Sequence, residues 1–127
     1  MDMTHILIIE DDQAMRDVMA RALRQLGYEV DVAKDGAEGL ALWDATRPDA
    51  VVTDVHMPNV DGIETILALR SRDPDVRIVA VSGGDSRASF LALDSASDLG
   101  ATIVLSKPFG PDALASAVRS VLAPREP

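Results

Sequence analysis

The chain has no cysteine, which excludes disulfides and thiolate metal sites and fits a reducing compartment. No apolar run approaches the roughly 20 residues of a membrane-spanning helix. The opening Met1-Asp2-Met3-Thr4-His5 lacks the basic segment of a secretory signal and leads at once into a strand pattern, so a cytoplasmic location is expected. Positive charge is scarce: 12 Lys and Arg stand against 21 Asp and Glu, a formal net charge of −9. With its basic residues scattered, such a surface is not built to grip nucleic acid without sequence preference. Any contact with DNA would fall to another domain or a partner. There is no internal repeat, no linker-like stretch and no sign of a second domain. What is present is 127 residues, 47% of them hydrophobic, enough to bury one core. One domain over residues 1–127 is expected, with a frayed tail at about 124–127.

Apolar residues alternate between two periodicities along the chain. His5–Ile9 is a short apolar strand, and His5 at its start reads as a strand-edge residue rather than a ligand. Met15, Val18, Met19, Ala22, Leu23 and Leu26 then recur at helical spacing, with Gly27 placed to cap the helix. A second strand covers Tyr28–Ala33, Asp35-Gly36 turns the chain, and a helix around Leu40 and Trp43 ends near Arg47-Pro48. Ala50–Thr53 is a strand running into Asp54. Ile63, Ile66, Leu67 and Arg70 mark a third helix, stopped at Asp73-Pro74. Arg77–Val81 is a fourth strand, closing on Ser82-Gly83-Gly84, and a serine-diluted helix is expected over about Ser86–Leu99. A fifth strand, Thr102–Leu105, leads to Ser106-Lys107-Pro108, and Leu114, Val118, Val121 and Leu122 define a last helix. Strands and helices alternating at such short intervals predict right-handed crossovers and a parallel sheet covered by helices on both faces.

The chemistry-bearing residues stand at strand ends, where open α/β sheets place their sites. Glu10-Asp11-Asp12 follows the first strand, Asp54 the third, Ser82 the fourth and Lys107 the fifth. Alone, Asp54 is as readily a strand-end aspartate capping the next turn; acids and a lysine at neighbouring strand ends favour a nucleophilic carboxylate that forms an acyl phosphate. Gathered without a counterion these carboxylates would repel one another. A hard divalent cation resolves the conflict, and Mg²⁺ suits one or two carboxylates plus phosphate oxygens. Ser82, taken alone, reads as an ordinary turn serine before Gly83-Gly84. Lys107 would compensate charge and then grip phosphoryl oxygens.

This set of acids, Asp54, Ser82 and Lys107-Pro108, spread over essentially the whole chain, resembles the receiver domain of two-component response regulators. The resemblance implies a flavodoxin-like, doubly wound (βα)5 fold with a five-stranded parallel sheet in the order 2-1-3-4-5. It implies that Asp54 is the phosphoacceptor, assisted by Ser82 and Lys107. The metal shell would be Asp11, Asp54 and the backbone carbonyl of His56, with Glu10 acting through water. His56 as an imidazole ligand is disfavoured, because only its backbone position matches the family pattern. Asp12 falls outside that shell and is expected to cap the first helix. Met57-Pro58 and Asp61-Gly62 match the family's loop after the acceptor, and the Lys107–Pro108 bond is expected to be cis. The implied role is regulatory rather than that of a conventional enzyme. Asp54 would receive a phosphoryl group from the phosphohistidine of a histidine kinase or phosphotransfer protein, and the switched domain would control a downstream protein or output domain.

Two departures bear on output. Val104 stands three residues before the lysine, where many receivers carry Tyr or Phe, and the interval from Ser82 to Lys107 is long and serine-rich. Movement would then be read through Gly83–Leu99. A haloacid-dehalogenase-type phosphatase would need its nucleophile after the first strand and room for a cap, and a flavodoxin would need a phosphate loop where the acids stand. A receiver-like module that is never phosphorylated would be expected to lack a chemical residue, and none is missing.

Overall fold

The structure, a computed structural model, describes residues 3–55, 62–82 and 103–123. His56, Met57-Pro58, Asp61, Gly83–Leu99 and the tail at 124–127 lie outside the described residues. Within them the chain runs β1 (His5–Ile9), α1 (Gln13–Gln25), β2 (Glu29–Ala33), α2 (Gly36–Thr46), β3 (Ala50–Asp54), α3 (Gly62–Arg72), β4 (Ile78–Ser82), β5 (Ile103–Ser106) and α4 (Pro111–Leu122).

All strand pairs are parallel, and the order is β2-β1-β3-β4-β5. Successive side chains of a strand point to opposite faces, so β1 divides between two cores. Ile6 and Ile8 pack with Met19, Leu23, Leu114 and Val118 of α1 and α4, whereas Leu7 and Ile9 pack with Trp43, Ile66 and Leu69 of α2 and α3. Both faces of the central strands are therefore dry, which is why β1, β3 and β4 read as unbroken apolar runs rather than alternating ones.

The helix ends follow local chemistry. Asp12 caps α1, its Oδ1 accepting from the N–H groups of Ala14 and Met15 at 2.9 and 3.3 Å, as expected for that residue. At the other end Gly27 adopts φ 95°, its N–H bonds Arg24 O, and the Tyr28 N–H bonds Leu23 O. That pair of bonds is a Schellman cap, which needs a left-handed residue at this point. Asp35-Gly36, expected as a turn, starts α2 instead. The Asp35 carboxylate accepts from the Glu38 N–H at 2.8 Å, so the aspartate caps the helix and the glycine is its first residue.

The apolar stripe of α1 differs from the expected one. Met19, Ala20 and Leu23 are buried with Met15 packed against them, while Val18 and Leu26 remain 59% and 50% exposed. The inward stripe runs along the i, i+4, i+8 row from Met15, and Val18, Ala22 and Leu26 form the next row round. Those three residues line a groove between α1 and α4.

Candidate functional site

Three backbone hydrogen bonds carry the sheet ladder beyond the strand ends and so place the chemical residues. Glu10 N–H donates to Ala33 O (3.0 Å), Val55 N–H to Val81 O (2.8 Å), and Lys107 N–H to Ser82 O (2.7 Å). The register pairs Asp54 with Val81 and Ser82 with Ser106. Glu10, Asp54, Ser82 and Lys107, at the carboxyl ends of β1, β3, β4 and β5, are thereby brought to one edge of the sheet.

Gly62 sets how the chain returns to that edge. A Cβ on it would fall inside contact distance of Val55 Cα and Asp54 O, backbone atoms that no rotamer change can move. The first turn of α3 consequently lies directly against the Asp54–Val55 peptide.

At the edge, Glu10 is 1% and Asp54 5% exposed, while Asp11 is exposed. Carboxylate oxygens of these three residues lie within 4.8 Å of one another. Lys107 Nζ bridges two of them, donating to Glu10 Oε1 at 2.9 Å and to Asp54 Oδ2 at 3.0 Å. Burial by itself would lower the Lys107 pKa, but its hydrogen bonds to Glu10 and Asp54, and the charges of both, outweigh it and hold the ammonium above the ordinary lysine value. Asp11 moves upward too. Partial loss of water around its carboxyl group is the main cause, followed by the hydrogen bond and charge of Glu10, against weaker lowering by its own backbone hydrogen bond and by Lys107. One ammonium among three carboxylates leaves net negative charge to be compensated.

The donor set fits a hard cation. It consists of carboxylate oxygens alone, the ligands that Mg²⁺ and Ca²⁺ take, and one carboxylate is exposed to an approaching ion. Ser82 is 2% exposed, and its Oγ has no hydrogen-bond partner among the described residues. A buried hydroxyl left without a partner costs roughly 1–3 kcal/mol. The Lys107–Pro108 peptide is cis, as expected.

Comparison with known proteins agrees with this geometry. The family model described as the response regulator receiver domain matches residues 6–119. The chain belongs to that family. It is 40% identical over 122 residues to the response regulator MprA of Mycobacterium sp. (strain KMS), an alignment covering 96% of this chain and 52% of the relative. The receiver thus spans about half the length of the curated relatives it matches. Among solved structures it is similar to the Vibrio cholerae chemotaxis protein CheY4, with TM-score 0.86, 31% identity, and coverage of 95% and 100% of the two chains. It is also similar to a CheY-like response regulator receiver domain protein from Methanospirillum hungatei JF-1, with TM-score 0.86, 26% identity and 95% and 94% coverage.

Of the residues singled out in the sequence, Glu10, Asp11, Asp54 and Lys107 come together as one charged cluster. Ser82 ends the neighbouring strand β4, and His56 lies outside the described residues. Arg16 carried no signal beyond a polar helix position, yet its Nη1 donates to the Glu10 carbonyl at 2.9 Å. Val104 is half-buried and packs on the α2/α3 side of the sheet. His5 remains a strand-edge residue, its Nε2 2.7 Å from Asp31 Oδ2 on β2.

Proposed function

We propose that residues 1–127 form one receiver domain whose Asp54 accepts a phosphoryl group from the phosphohistidine of a histidine kinase or histidine phosphotransfer protein. The observation that carries this reading is the position of Lys107 Nζ, 3.0 Å from Asp54 Oδ2 and 2.9 Å from Glu10 Oε1. An ammonium bonded to one oxygen of a 5%-exposed aspartate restrains that carboxylate and stands ready for the oxygens of an arriving phosphoryl group.

Asp54 attacks phosphorus in line; its new O–P bond forms as the P–N bond to the donor imidazole breaks, and the bond's electron pair leaves with the imidazole. Lys107 and the Ser82 hydroxyl take two phosphoryl oxygens. Asp11 and Asp54, with the His56 carbonyl, would hold Mg²⁺ directly, and Glu10 would hold it through water. When bound, the ion neutralises charge that develops on the phosphoryl oxygens. The domain acts on its own aspartate, so its role is regulatory.

Asp54 phosphate then biases two arrangements of the domain, and the shift equals its differential interaction with them. The reader is a downstream protein or an output domain of a longer regulator, which fits relatives about twice the length of this chain. With a net charge of −9, the receiver itself leaves contact with nucleic acid to that reader and works in the cytoplasm. Incubation with Mg²⁺ and acetyl phosphate tests the reading. The intact mass should rise by one phosphoryl group in the parent and not in Asp54→Asn; an unmodified parent, or equal modification of both, refutes it.

A further inference from the structure

Each polar atom of the buried Glu10 is bonded from a different part of the chain. Its N–H donates to Ala33 O at the end of β2 (3.0 Å). Its carboxylate accepts from Lys107 Nζ at Oε1 (2.9 Å) and from the Asp12 N–H at Oε2 (3.3 Å). Its carbonyl oxygen accepts from Arg16 Nη1 on α1 (2.9 Å). The first three bonds follow from the sheet ladder and the acidic site, whereas the fourth brings in a side chain that the phosphoryl chemistry does not use.

The Glu10 carbonyl belongs to the peptide that joins Glu10 to Asp11. Peptide groups are planar, so fixing that oxygen fixes the plane and with it the positions of Asp11 N and Cα, leaving φ of Asp11 as the one backbone torsion that aims its side chain. Asp11 is exposed, and packing therefore constrains it little. A charge-assisted bond to the preceding carbonyl supplies the constraint instead. We propose that Arg16 is a positioning residue for the divalent-cation site: by holding the Glu10 carbonyl it aims Asp11 into the sphere shared with Glu10 and Asp54. This rests on the reading of those three residues as a Mg²⁺ site.

Charge alone would give Arg16 the opposite role. A cation beside three carboxylates competes with a metal ion, and its removal would tighten Mg²⁺ binding. The geometry favours positioning, because the guanidinium bonds a neutral carbonyl rather than a carboxylate, and its partial exposure to solvent screens its charge.

Calorimetric titration of Mg²⁺ into the parent, Arg16→Ala and Arg16→Lys decides between the two roles. Arg16→Ala should weaken Mg²⁺ affinity by about tenfold or more, as loss of ligand-supporting partners does. Arg16→Lys, which keeps a donor on a long stem, should recover most of that loss. The half-saturating Mg²⁺ concentration for acetyl phosphate labelling should rise in Arg16→Ala, with the rate at saturating Mg²⁺ near that of the parent. Unchanged or tighter Mg²⁺ binding in Arg16→Ala overturns the proposal, as does a lowered melting temperature with the Kd intact. Should Arg16→Ala fail to fold, Arg16→Gln, an uncharged donor on a shorter stem, takes its place with the same expected weakening and the same refutation. A parent that binds no Mg²⁺ refutes the metal site and this role together; a parent that binds it, with variants that match, refutes this role alone.

Discussion

Lys107 Nζ and Glu10 Oε1 lie 2.9 Å apart although 97 positions separate the two residues in the chain. Their contact spans β3 and β4, since Glu10 follows β1 and Lys107 follows β5, and it closes over Asp54 between them. The side chains are 21% and 1% exposed, so the pair is only lightly screened. Removing one partner of such a pair leaves buried charge behind.

Lys107→Ala should therefore destabilise the Mg²⁺-free protein by about 2 kcal/mol or more, because Glu10 and Asp54 would lose the ammonium they share. Mg²⁺ should bind as tightly as in the parent or more tightly, and labelling of Asp54 should fail or lose its structural consequence. Urea unfolding followed by the fluorescence of Trp43, the single tryptophan, measures the first effect, and calorimetry the second. Weakened Mg²⁺ affinity in Lys107→Ala would show that the charge argument is reversed.

Mg²⁺ should raise the melting temperature of the parent, since a ligand at a hundredfold excess over its Kd adds about 2.7 kcal/mol when only the folded state binds it. In Asp11→Ala the melts with and without Mg²⁺ should coincide. Equal melts in the parent would count against the site.

The raised Asp11 pKa has a definite sign. A carboxyl group whose folded value lies above its unfolded one stabilises the fold fully below the unfolded value of 3.8, and that contribution is lost as pH rises through the folded value. Without Mg²⁺, the stability of the parent relative to Asp11→Asn should thus decline from about pH 4 upward, a decline that saturating Mg²⁺ offsets. Urea midpoints of the two proteins at pH 4, 5.5 and 7.5 provide the comparison; a difference that does not change with pH would contradict the assignment.

Ser82 presents the reverse case: the proposed reading uses its hydroxyl, while the described residues give it no hydrogen-bond partner. Its buried Oγ has no partner among the described residues, so Ser82→Ala should be neutral or stabilising by up to about 1 kcal/mol. Labelling by acetyl phosphate should slow in the same variant. A clear loss of stability with labelling unchanged would make Ser82 a structural residue.

Gly62→Ala should cost about 3 kcal/mol and impair labelling, because the new methyl meets the backbone of Asp54 and Val55. Gly39→Ala should cost less, since there the methyl meets the side chain of Ile9 rather than backbone. Equal losses in urea unfolding would show that α3 can shift away from β3.

Much of this protein was readable from local pattern. Four short apolar runs, each ending on a charged or hydroxyl residue, marked β1, β3, β4 and β5 and predicted that Glu10, Asp11, Asp54, Ser82 and Lys107 would share one edge. That works because a strand buried on both faces must be apolar along its length, and its end is the first place a charge can stand. The Asp12 cap was legible with the family pattern in hand, and the Gly27 cap from local pattern alone, since a helix cap is satisfied within a few residues of itself. Periodicity alone could not decide which flank of α1 turns inward. The apolar residues of α1 cover two adjoining rows, and contact with β1, β2 and α4 buries the Met15–Met19–Leu23 row while Val18 and Leu26 stay at the surface. Nor did any spacing announce the bonds from Arg16 to the Glu10 carbonyl or from His5 to Asp31. Arginine on an amphipathic helix and histidine at a strand edge are ordinary in sequence, and their partners are chosen by the angle at which α1 leaves the sheet and by the β1–β2 register. Those are properties of packed elements, and packing, unlike periodicity, is settled among residues distant in the chain.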